Sequence, residues 1–185
     1  MVRCKNWQTC EKTIIMKLVP VDEIPKSVDI KDVALDDLAE IYKICNKMEN
    51  VCEAENGIGL SAVQVGIPLK LFVVKADDGS KFDNKGEYGY FLNCEYEPQQ
   101  ESGQIISIEG CLSLRSDSGE LRHFQVMRYT DILISGYKLN KDMKLEEVMD
   151  FQIGVSEQAV VFQHEIEHHS GILISDKGQE IFLWR

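Results

Sequence analysis

The run His164-Glu165-Ile166-Glu167-His168 constrains this chain more than any other five residues. Its histidines stand four positions apart. On an α-helix both imidazoles therefore leave one face, one turn apart, and can reach a single cation. Glu165 follows the first histidine and would stand beside the water such an ion activates, without ligating the ion itself. Val155, Ala159, Phe162 and Ile166 form a stripe suited to packing on a sheet, while Val160 and Val161 would wall a cleft beside the ion. Alone, the pattern also fits two surface histidines on a solvated helix. A cation gripped by two histidines needs at least one more protein ligand, which the remaining chain must deliver.

Two earlier segments offer partners. Glu109-Gly110-Cys111-Leu112-Ser113 carries Cys111, whose thiolate would suit iron or zinc, although read alone it is a buried apolar side chain. Gly110 lets another chain come close to the backbone. In Gly57-Ile58-Gly59-Leu60-Ser61-Ala62-Val63-Gln64 the small residues leave room for a ligand's backbone. Gln64 supplies an amide donor that suits an oxyanion better than a titrating group would. In isolation this segment is a tight glycine turn. No Lys-Ser or Lys-Thr follows the glycines, which argues against a phosphate loop.

Around these segments the pattern is α+β. Val33, Leu38, Ile41, Cys45, Met48 and Cys52 recur at helical steps, predicting a helix from Ile30 to Glu55 that Asn56-Gly57 stops. Strands are expected at Leu71–Lys75, Tyr90–Tyr96, Gly103–Ile108, along Gln125–Tyr137, and ending through Val148–Ile153, with an exposed loop over Asp77–Gly89. Ser156 should cap a second helix that runs to His169 and is closed by Gly171. Residues 1–13 are polar and irregular, a loosely attached tail before a single domain over 14–185.

Composition narrows the function classes. Net charge is −11, which disfavours charge-driven binding to nucleic acid or an anionic membrane. No apolar run or leader pattern marks a membrane span or signal peptide, so a cytoplasmic protein is expected, in the host's cytoplasm if the source is a virus. The 6 cysteines do not form a secreted disulfide framework, and Cys45 and Cys52 share one helical face as core residues.

Taken in order, the three segments resemble the GxGLxAxQ, EGCLS and QHExDH motifs of the peptide deformylases, a resemblance that extends from about Ile14 to Asp176. It implies a peptide-deformylase-like single domain with mixed or antiparallel sheets around the metal-binding helix. It also implies a metal-dependent hydrolase that removes the N-formyl group from formyl-methionyl peptides and releases formate. Cys111, His164 and His168 would hold one divalent metal, Fe²⁺ natively, with Zn²⁺, Ni²⁺ or Co²⁺ as replacements. Glu165 would be the acid/base, Gln64 and the backbone N–H of Leu112 would stabilise the oxyanion, and Arg128 would brace the site. The peptide would lie along Ile58-Gly59 and Gly110, its methionine in a pocket beside Val160 and Val161.

Three departures from the family pattern stand out. Glu167 replaces the usual Asp, which should shift hydrogen bonding around the ligands. His169 replaces Leu on the core side of the helix and is not expected to be a ligand. Only Lys177–Arg185 follow Asp176, so transient ribosome association by a C-terminal helix is doubtful. Two rivals remain. One is an HExxH zinc peptidase with Asp176 or Glu180 as third ligand, and the other a catalytically silent, metal-containing peptide binder.

Overall fold

Alternation along the central strands decides the layering. In the computed structural model, which describes residues 16–78, 80, 82–154 and 157–182, strand β2 (Leu71–Lys75) buries both faces. Leu71 and Val73 point to one side, and Phe72 and Val74 to the other. The strand lies inside a five-stranded sheet of order β1-β2-β3-β6-β7, where β1 is Gly59–Ser61, β3 Tyr88–Pro98, β6 Ile132–Leu139 and β7 Leu145–Ile153. A second sheet, β4-β5-β8, is built from Gln104–Arg115, Leu121–Tyr129 and Gln179–Ile181. Within both sheets every pairing is antiparallel, and the parallel element is an isolated bridge between Lys31 and Leu69.

One helix covers each face of the larger sheet. Helix α1 (Leu38–Ala54) presents Ile41, Ile44, Cys45, Met48 and Cys52 to Leu60, Leu71, Val73, Tyr90 and Leu92. Helix α2 (Glu157–His169) lays Ala159, Phe162 and Ile166 on the opposite face, where Phe162 meets Phe91 edge-on at 4.7 Å between ring centres. A third, smaller core joins Cys111, Leu114, Phe124 and Val126 to Ile174 of the four-residue helix α3 (Ile174–Lys177).

Several expectations need correction. Helix α1 starts at Leu38 rather than Ile30, because Asp37 caps it by accepting from the Glu40 amide at 3.1 Å. The preceding stretch is drawn into other contacts: Ser27–Asp29 forms a 3₁₀ turn, Lys31 bridges to Leu69, and Asn93 clips Val33 from both sides. The Gln125–Tyr137 stretch is two strands, parted where Thr130 and Asp131 turn the chain. The Asp77–Gly89 loop is less exposed than its composition implies. Tyr88 is buried in β3, and Lys138 pins the loop through Asp83 at 2.8 Å. Strands β1 and β8 and helix α3 were not expected. The expected tail over 1–13, Val155 of the helix stripe and the Ser156 cap lie outside the described residues.

Asn93 carries more than its size suggests. It sits at the irregularity of β3 with φ of 53°. Its Oδ1 accepts from the Val33 amide at 2.6 Å and its Nδ2 donates to the Val33 carbonyl at 3.0 Å. Asn93→Ala removes both bonds and forces a Cβ-bearing residue without a local acceptor to keep the left-handed conformation. A loss of about 3 kcal/mol is expected, read as a lower urea midpoint at unchanged m-value.

Candidate metal centre

Two elements bring the candidate ligands together, β4 and α2. Residues 109 and 111 share a face of β4, so Glu109 and Cys111 both look toward α2. His164 and His168 leave one side of α2, their ring centres 4.9 Å apart. The donor atoms of Cys111, His164 and His168 all lie within 4.8 Å of one another, and Cys111 Sγ stands 3.5 Å from His168 Nε2. A cation bonded at 2.0 to 2.3 Å, roughly the usual range for nitrogen and sulfur donors, fits among atoms so spaced. All three side chains are buried.

The protonation chemistry also suits a cation. His164 Nδ1 lies 3.0 Å from Glu109 Oε2, which keeps a proton on Nδ1 and turns Nε2 inward, where an ion would replace its proton. Burial opposes charge on His164, yet hydrogen bonds with Cys111 and Glu109, and the charges of Cys111 and Glu165, outweigh it and hold its pKa well above the ordinary value. The negative partners that draw a proton there would equally draw a metal ion. Burial, with His164 beside it, pushes His168 well below its ordinary value, leaving a neutral ring. A donor set of one thiol and two imidazoles therefore fits a divalent first-row ion.

Glu165 is 3% exposed, and its Oε2 has no hydrogen-bond partner among the described residues. Burial raises its pKa to about 7. Gly59 lies against it so tightly that a Cβ there would fall 2.5 Å from Glu165 Oε1 and 2.8 Å from Val161 Cγ1. Gln64 is oriented by its neighbours. Its Oε1 accepts from the Ser61 amide at 2.8 Å, so its Nε2 must face Cys111 Sγ at 3.4 Å and Ser113 Oγ at 3.1 Å.

A cavity of about 360 Å³ opens beside these groups. Ile58, Gly59, Gln64, Gly110, Leu112, Val160, Val161, His164 and Glu165 line it, and the cluster of Cys111, His164 and His168 meets it through His164; Cys111, His168 and Arg128 are not among its lining residues. Leu121 and His123 add a wall that sequence reasoning missed, since the β4–β5 hairpin gave no local signal. Asp176 accepts from the Leu173 amide at 2.8 Å and Glu180 forms a bidentate pair with Arg122 at 2.7 and 2.8 Å, so neither joins the ligand group.

Glu109 had no role assigned, though its i, i+2 relation to Cys111 could have suggested one. Behind it, Arg128 has no exposed side-chain surface. It donates through Nε and Nη2 to both Glu109 oxygens at 2.7 and 2.8 Å, and through Nη1 to Glu167 at 2.8 Å. Burial works against the Glu109 carboxylate, but Arg128 and His164 lower its pKa to about 2. His169 is buried against Phe72, its pKa lowered to about 4 mainly by burial. The Leu71 backbone lies close to it without hydrogen-bond geometry to either ring nitrogen.

The polypeptide deformylase family model matches residues 22–181. A peptide deformylase of Flavobacterium psychrophilum is 35% identical over 150 residues, covering 76% of this chain and 67% of that protein. One from Symbiobacterium thermophilum is 31% identical over 139 residues, and there the match covers 75% of this chain but only 56% of the relative. Among solved structures, a probable peptide deformylase from synechococcus phage S-SSM7 superposes with a TM-score of 0.65 at 26% identity, covering 88% of this chain and 99% of that one. A Met-Ala-Ser-bound class I type b peptide deformylase from Acinetobacter baumannii shares the fold, with a TM-score of 0.69 at 20% identity, covering 90% of this chain and 99% of that one.

Arg128→Met leaves two buried carboxylates without their shared cation. A loss of 3 to 5 kcal/mol, roughly the cost of breaking a buried ion pair, is expected in chemical denaturation. Arg128→Lys should recover little of it, because one ammonium cannot replace the planar fork that spans both partners.

Proposed function

The chain belongs to the polypeptide deformylase family, and from that premise we propose that it hydrolyses the N-formyl group of formyl-methionyl peptides, with residues 14–185 as one catalytic domain. Cys111, His164 and His168 hold one divalent ion, Fe²⁺ as the native metal and Zn²⁺, Ni²⁺ or Co²⁺ as replacements. The observation that carries this reading is the convergence of one buried sulfur and two buried imidazoles within 4.8 Å, beside a cavity that His164 and Glu165 line.

When bound, the ion supplies Lewis-acid chemistry that draws the pKa of a water toward neutrality. Glu165, buried and with its pKa raised to about 7, is matched to a two-way proton transfer. It takes the proton as the water oxygen bonds to the formyl carbon. It then gives that proton to the amine nitrogen as the carbon–nitrogen bond breaks, leaving formate and a free N-terminus. Gln64 Nε2 and the Leu112 amide meet the charge that develops on the formyl oxygen. Such a donor typically contributes about 3 kcal/mol.

The peptide lies extended beside Ile58-Gly59 and Gly110, in a strand-addition mode. Its methionine enters the cavity against Val160 and Val161. Nascent chains bring the enzyme into transient contact with the ribosome, in the cytoplasm, and no nucleic-acid contact is part of the proposal. No helix among the described residues is long and apolar enough to cross a membrane.

Two variants test the reading. Glu165→Gln should keep its metal, measured by elemental analysis, while formate release from formyl-Met-Ala-Ser under anaerobic conditions with Fe²⁺ falls by about 10³-fold. Unchanged turnover would remove Glu165 from its role; wild-type protein that binds the peptide without releasing formate would favour a silent binder. Cys111→Ser should weaken metal binding and alter the ligand field. Normal metal content in that variant would reduce Cys111 to a core residue.

A further inference from the structure

Glu167 occupies the position between the catalytic glutamate and the second histidine of the ligand motif, and it is 7% exposed. Its two oxygens have different partners. Oε2 accepts from Arg128 Nη1 at 2.8 Å. Oε1 accepts from the Tyr96 hydroxyl of β3 at 3.0 Å and also from Lys177 Nζ at the end of α3. The side chain is one methylene longer than aspartate, and that reach puts Oε1 at a meeting point of three elements. Tyr96 remains a donor, because burial, with the Glu167 charge beside it, pushes its pKa upward.

Charge explains why a second cation is useful there. Arg128 already satisfies both oxygens of Glu109, which in turn orients His164. One guanidinium facing two buried carboxylates leaves the pair a unit negative, and Lys177 cancels that unit. Lys177 is 37% exposed, so its own desolvation cost is small. Its helix is firmly seated: Ile174 is buried in the cluster that holds Cys111, and Gly178 N–H donates to the Ile174 carbonyl at 2.8 Å. Helix α3 thus touches the strand that carries the sulfur ligand and, through Lys177, the last turn of the helix that carries His168.

We propose that Lys177, assisted by Tyr96, is a positioning residue for the metal centre: it fixes Glu167 and thereby the turn of α2 that aims His168 at Cys111. Neither residue touches substrate or ion. The inference rests on the proposed ligand set, so its test must separate the two.

The test is Co²⁺ titration of wild-type, Lys177→Met, Lys177→Arg and Tyr96→Phe proteins, followed by visible absorption, with competition by a chelator for affinity. Wild type should show a sulfur-to-cobalt charge-transfer band. Lys177→Met should bind Co²⁺ about tenfold more weakly, with shifted ligand-field bands, since groups behind the ligands typically tune affinity at this level. Lys177→Arg should restore both, and Tyr96→Phe should move in the direction of Lys177→Met by less. Turnover of formyl-Met-Ala-Ser should fall in kcat with KM unchanged. A Lys177→Met protein with wild-type cobalt affinity and spectrum overturns the inference, even if its melting temperature drops, because the contact would then only stabilise the fold. Absence of the sulfur band in wild type overturns the ligand set itself, and this inference with it.

Discussion

The Arg128 guanidinium, wholly buried between Glu109 and Glu167, is the interaction on which the centre depends. It binds a strand of the smaller sheet to the helix that covers the larger one. Its two acidic partners are each placed next to a proposed metal ligand, Glu109 through the His164 ring and Glu167 through the backbone before His168. Burying three charges costs solvation, and only their close mutual geometry offsets it. That geometry suits the proposed metal site: Glu109 orients the His164 ring and assigns a proton to its outer nitrogen.

The layers serve the same end. Alternating residues in β2 let α1 and α2 pack on opposite faces of one sheet, so α2 is held along its length by aromatic side chains while its other side faces β4. Gly59 brings β1 against Glu165 closely enough to exclude any side chain between them. Glu165, the proposed acid/base group, is therefore bounded by backbone on one side and the proposed ligands on the other. The Ser61 amide engages the Gln64 oxygen, which turns a symmetric-looking carboxamide into a donor directed at Cys111 and Ser113.

Much of the site was legible in the sequence because its signals are local. Four-residue spacing on a helix fixes the relation of His164 to His168, and a short segment fixes Cys111 next to Leu112. Helix α1 was legible in its stripe and in Asn56, which adopts φ of 55° where the helix ends. Its start, at the local Asp37 cap, was masked because the apolar stripe runs back to Val33, whose clip to Asn93 60 positions away no local pattern encodes. The same holds for α3: four residues carry no usable periodicity, and the helix exists because Ile174 has a core to enter. Lys177 and Tyr96 were invisible for that reason. The Glu167 departure signalled altered hydrogen bonding, but only the tertiary fold says where its extra length reaches.

The proposed ligands come from segments that are distant in sequence, with Cys111 and His168 57 positions apart. A chain that has not yet docked β4 against α2 can offer an ion the histidine pair but not the sulfur beside it. Closing so long a loop carries an entropic cost that local helix formation does not, so the complete thiolate–imidazole set arises late, once both sheets are in place. An ion held there would act as a fastener of the finished architecture, and metal loading would report that the two halves of the domain have met.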